Sequence, residues 1–171
     1  MSENRAVFTK RDRLRFTKNK LSANLILAAI AVNALYFVSI YRTDVGSYYY
    51  KIFIGASILY NLIFMLIAFL SSEGVKNYKM GYAYTAIVIG VLQIGRIFYI
   101  PMQAHEAPNP IVGKETETVM LDDQFGYVAI CLCISAALLI CAGVIGIIKT
   151  TTLRSHQAEL ERTAIRGASD E

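Results

Sequence analysis

The chain has 171 residues, 55% of them apolar and 18% charged, with a mean hydropathy of +0.44 and a formal net charge of +4. Nearly every charge lies in the two tails or between apolar blocks, and four blocks of 19 to 23 residues hold a single charge between them. That distribution excludes intrinsic disorder, a secreted disulfide scaffold and an ordinary soluble enzyme, because an apolar run of about 18 residues can cross a bilayer as a helix.

Residues 1–20 read as a basic tail. Lys10, Arg11, Arg13, Arg15, Lys18 and Lys20 follow Arg5, with Val7, Leu14 and Leu21 spaced by sevens and Phe8 and Phe16 interleaved. A basic amphipathic segment suits an anionic lipid surface, where each nearby cation contributes about 1 kcal/mol. The same cations also set topology. No motif supports nucleic-acid binding.

Residues 21–148 hold four expected spans. The first is expected at about 21–41. Its Ala29-Ile30-Ala31 looks like a signal-peptide cleavage triplet, but the apolar run continues ten residues past it, which favours an uncleaved helix. A short loop with a glycine turn leads to the second span at about 52–70, preceded by Tyr48, Tyr49 and Tyr50. The third, at about 80–101, opens on Tyr82 and Tyr84 and closes on Phe98, Tyr99 and Pro101. Aromatic residues gather at membrane interfaces, and proline ends a helix because it lacks an N–H. A loop at 102–125, acidic and containing Pro108 and Pro110, precedes the fourth span at about 126–148. In the tail at 149–171, Leu153, Leu160 and Ile165, with Glu159 and Arg162 at i,i+3, extend the fourth helix for two or three turns before Gly167. Every backbone group in lipid must be satisfied within its own segment, so all four spans are helices. The expected fold is all-α, a four-helix transmembrane bundle.

Thirteen of the seventeen lysines and arginines fall in the N-terminal tail, the loop between spans two and three, and the C-terminal tail. The opposite side has Arg42, Lys51 and Lys114, and Arg96 lies inside a span. The positive-inside rule then places both termini in the cytoplasm, in a multi-pass protein of the plasma (cytoplasmic) membrane.

Catalytic chemistry is not evident. His105 and His156 fall on opposite sides of the membrane and cannot share a metal or a proton. Cys131 and Cys133 diverge around their helix, so with Cys141 they read as small core residues. No span contains Asp or Glu, no phosphate loop or nucleophile elbow is present, and no cofactor or metal is expected.

What remains is polar residues inside lipid. Counted from the cytoplasmic ends, Asn33, Asn61, Gln93 and Ser135 fall within about 6 Å of one depth. Each lies on a stripe of small residues: Ser57 and Ala68 with Asn61, Ala83, Ala86 and Gly90 with Gln93, and Leu139, Ala142 and Gly146 with Ser135. Small residues let membrane helices approach, and amides then hydrogen-bond across the contact. The layer is glue, or it lines a path; one copy alone is too narrow to enclose a pore. Arg96 lies about five residues inside the outer end of its helix, so it either snorkels to lipid phosphate or pairs at the outer rim with Asp44, Asp122 or Asp123. Pairing would clamp the long loop to the bundle, or hold an anionic ligand if the acid were displaced.

The expected role is therefore a non-enzymatic accessory or scaffold subunit of a larger membrane complex, a transporter above all, in contact with another membrane protein. The competing expectation is a homo-oligomeric channel or small-solute transporter using the polar layer.

Overall fold

Each of the four apolar blocks is a helix. The computed structural model describes residues 9, 12, 13, 16–40, 48–99, 101–106 and 122–169. Among these it has α1 (Lys20–Ile40), α2 (Tyr48–Lys76), α3 (Met80–Tyr99), the short α4 (Pro101–Glu106) and α5 (Asp122–Ser169), with no strand. The four long helices are each long and apolar enough to span a membrane. Lys10, Arg11, Arg15 and Asp44 lie outside the described residues, as do 107–121 of the long loop.

Two of the helices outrun their apolar blocks. α2 begins four residues before the expected 52 and ends six after 70; α5 begins four before 126 and continues 21 residues past Ile148 to Ser169. Hydropathy marks the part of a helix that lipid can cover, whereas backbone hydrogen bonding continues wherever propensity allows. Ala158, Glu159, Leu160, Glu161 and Arg162 are strong helix formers, and Gly167 costs too little to stop the helix there. The expected two or three turns beyond the span are about six. Pro101 behaves as expected: α3 stops at Tyr99, and the proline sits in the first turn of α4, where its missing N–H costs nothing.

α1, α2, α3 and α5 pack in that order around a ring, each antiparallel to its neighbours. Ala23 and Asn33 of α1 meet Ser72 and Asn61 of α2, and Ala29 meets Ser135 of α5. Small residues set the α3–α5 distance. A Cβ added at Gly143 would lie 2.5 Å from Ile87 Cγ1 and 2.7 Å from the Ala83 carbonyl oxygen; one at Gly90 would lie 3.2 Å from the Ala136 oxygen.

The α2–α3 turn is a Schellman motif. The N–H of Lys79 donates to Gly74 O at 3.0 Å and that of Tyr78 to Val75 O at 3.1 Å, with Tyr78 at φ 57°. Glycine normally takes that left-handed position because a Cβ is disfavoured there.

Side chains are distributed inside out relative to a soluble bundle. Leu59, Leu62, Leu66 and Phe69 of α2 and Val88, Val91, Leu92 and Phe98 of α3 are exposed, while Asn19, Asn33, Asn61, Gln93 and Arg96 are buried. A continuous apolar exterior of this extent needs lipid rather than water around it. The interior divides into two apolar clusters. One, toward the chain termini, gathers Ile26, Ala29, Phe64, Ala68, Ala86 and Leu139; the other, at the far end, gathers Tyr36, Val128, Cys131 and Leu132. Asn33, Asn61 and Gln93 lie between them.

Candidate functional site: a buried polar layer with an arginine

Three of the four expected layer residues form one hydrogen-bonded chain across the bundle axis. Gln93 Nε2 of α3 donates to Asn33 Oδ1 of α1 at 2.9 Å, and Asn33 Nδ2 donates to Asn61 Oδ1 of α2 at 3.2 Å. Ser135 stands apart from the amides: its hydroxyl donates to the Ala29 carbonyl at 3.1 Å, one turn below Asn33. That bond joins α5 to α1 through the backbone.

Arg96 departs from lipid snorkelling and from pairing with Asp122 or Asp123. Asp44, the third acid named for it, lies outside the described residues. The Arg96 side chain is 5% exposed and turns into the bundle, away from lipid phosphate and from Asp122 and Asp123. Nη1 donates to Asn61 Oδ1 at 2.7 Å and Nη2 to Ser57 Oγ at 3.1 Å. The guanidinium carbon lies 4.4 Å from the Tyr36 ring centroid and 4.7 Å from that of Tyr60, a cation held between two π faces. The reason is geometric. Cα–Cβ bonds tilt toward a helix's N-terminus, and for α3 that direction is the bundle centre, so outward snorkelling would oppose the tilt. Arg96 also follows Gln93 by three residues, which puts it on the inward face of Ala83, Ala86 and Gly90. That spacing was the available clue.

The rim acids have other surroundings. Asp122 lies 3.6 Å from His105 Nε2, and His105 stacks on Phe125 with centroids 4.8 Å apart. Asp123 is exposed at the start of α5. Of the basic tail, Arg13, Lys18 and Lys20 are exposed, and Phe16 beside them is 81% exposed.

Arg96 also fixes the polarity of the amide chain. A guanidinium only donates, so Asn61 must present Oδ1 to it. Asn33 must then offer Nδ2 to that oxygen and Oδ1 to Gln93, which leaves Asn61 Nδ2 and Gln93 Oε1 without hydrogen-bond partners among the described residues. Each such buried orphan costs about 1–3 kcal/mol unless a water or a ligand meets it.

A second polar knot, which sequence reasoning took only for part of the basic tail, closes the end bearing the termini. Asn19 is fully buried and caps α1: its Oδ1 accepts from the Ser22 amide at 3.5 Å and its Nδ2 donates to Ser22 Oγ at 2.9 Å. Its own N–H donates to Lys76 O at 3.0 Å, and Lys149 Nζ donates to its Oδ1 at 3.1 Å. One residue, through its side chain and its backbone N–H, thus ties α1, α2 and α5 together. Asn-x-x-Ser ahead of an apolar run is a cap pattern legible in the sequence. Further out, His156 of α5 is fully buried with Nε2 3.7 Å from Asp12 Oδ1, a contact between the N-terminal tail and the extension of α5. His105 and His156 thus sit toward opposite ends of the molecule, since Asp122 and His156 are about 50 Å apart along α5.

Fold and buried layer define a multi-pass membrane protein, a four-helix bundle cross-linked by amides and one arginine. Comparison with protein-family models, curated proteins and solved structures finds no match for this chain.

Proposed function

We propose that the chain is a non-enzymatic accessory or scaffold subunit of a larger complex, a transporter, in the plasma (cytoplasmic) membrane, with both termini in the cytoplasm. One observation carries this reading. The polar groups that could line a path bond to one another across the axis, and apolar clusters close the bundle on both sides of them. A bundle sealed in this way offers its surface rather than its interior. Orientation rests on charge: Lys20, Lys76, Lys149 and Arg154 meet at the end that carries the termini. Exposed Phe16 among the basic residues suits contact with anionic lipid at that face.

Co-purification of the tagged full-length chain from its own membranes in mild detergent tests the proposal. A transporter recovered in fixed stoichiometry is expected, while the chain produced alone is monomeric and passes no solute in liposomes. A closed ring of a single size that conducts by itself would overturn it.

A second reading, a homo-oligomeric channel or small-solute transporter, is favoured by the orphaned Asn61 Nδ2 and Gln93 Oε1. Under that reading Asn61→Leu and Gln93→Leu fold to normal levels and lose flux; under the first, both lose stability.

A further inference from the structure

At the end of the bundle away from the termini, α1 and α5 part to form a groove of about 570 Å³, lined by Leu35, Val38, Ser39, Asp123, Gln124 and Tyr127. Its floor is a fixed tie: Gln124 Nε2 donates to Ser39 O at 3.0 Å, using one of the carbonyls that the end of α1 leaves unpaired. Leu35 and Val38, at i,i+3, make one apolar wall, and the half-exposed ring of Tyr127 makes part of the other. Asp122 is turned toward His105, whereas Asp123 stands at the mouth and makes no hydrogen bond or ion pair with any described residue.

We propose that this groove binds a phospholipid with an amine headgroup. The ammonium rests on the Asp123 carboxylate beside the Tyr127 ring, and the first carbons of the acyl chains lie along Leu35 and Val38. Three features select that occupant. The groove opens where the first polar residues of α5 meet its apolar stretch, the level at which a bilayer passes from headgroup to chain. A carboxylate next to an aromatic face attracts a cation and repels an anionic headgroup. From Leu35 to Ser39 the wall is only about 6 Å tall, roughly one turn, too short to seat a crossing helix from a partner but sufficient for a headgroup and the tops of its chains. The site stands whether or not the protein serves as an accessory subunit.

The test uses the delipidated full-length protein in detergent, offered phosphatidylethanolamine and phosphatidylglycerol with identical chains, with adducts read by native mass spectrometry. The wild type is expected to retain the ethanolamine lipid about threefold or more over the glycerol lipid, as one semi-exposed ion pair allows. Asp123→Asn should bring the ratio near one. Asp122→Asn, the same charge change on the side facing His105, should leave the ratio as it was. Leu35→Trp, at an exposed position, should fill the groove and remove both adducts without lowering the melting temperature. Equal retention by the wild type, an unchanged ratio in Asp123→Asn, or crosslinking from position 123 to a partner protein in place of lipid would each overturn the proposal.

Discussion

At the scale of single residues the costliest arrangement is a guanidinium taken out of water. A buried charge is tolerated only when its donors are met, and breaking such an arrangement from one side leaves the other side stranded. Asn61 accepts from both Arg96 and Asn33, so Asn61→Leu should lower the stability of the purified bundle by about 2–3 kcal/mol, against about 1 kcal/mol for Ser57→Ala. Thermal unfolding in detergent gives the order, and the reverse order would make Ser57 the principal acceptor. Arg96→Lys should be nearly as damaging as Arg96→Gln, because a compact ammonium cannot reach Asn61 and Ser57 together while lying between two rings. Wild-type stability in Arg96→Lys would reduce the fork to a simple point charge. Asn19→Ala removes a cap and the acceptor for Lys149, and should cost about 1–2 kcal/mol by the same measurement.

At the scale of elements, helix contacts and turns make separate predictions. Gly143 faces the backbone of α3 at Ala83, and a backbone oxygen cannot swing aside as a side-chain tip can. Gly143→Ala should therefore push α3 and α5 apart and cost about 1–3 kcal/mol, whereas Gly95→Ala, with open space around its Cβ, should be neutral or slightly stabilising. Equal effects at the two glycines would show that the α3–α5 contact is looser than its geometry. The turn gives the opposite sign. Tyr78 holds a left-handed conformation without being glycine, so Tyr78→Gly should raise the melting temperature, by about 1 kcal/mol of stability.

At the scale of the whole molecule, thirteen cations on one side imply a fixed orientation. Cysteines placed at Asn77 and Arg154 should react with a membrane-impermeant reagent only after the cells are permeabilised, and one placed at Glu106 should react from outside. Outside labelling at Asn77 would reverse the bundle. The architecture was legible because lipid imposes few solutions: an apolar run of sufficient length must be a helix. The inward stripes of α3 and α5 were legible for a related reason, since small residues at helical spacing mark where helices approach. Helix ends were less so. Hydropathy stops at Ile148, while the hydrogen bonding of α5 continues to Ser169.

The sequence by itself determined four apolar helices, the charge difference between their two ends and the shared depth of Asn33, Asn61 and Gln93, because each follows from residue type and rise per residue along one chain. Tertiary structure alone decided where Arg96 points. Depth below Pro101 suggested the rim, but the choice depended on Ser57, Tyr36 and Tyr60, which α2 and α1 bring to α3 only after assembly. The polarity of the amide chain was likewise undetermined until the guanidinium met Asn61, since an amide has a donor and an acceptor side and only a neighbour selects between them. Distance along a chain gives depth in a membrane; which group a side chain bonds at that depth is settled by the helices that pack beside it.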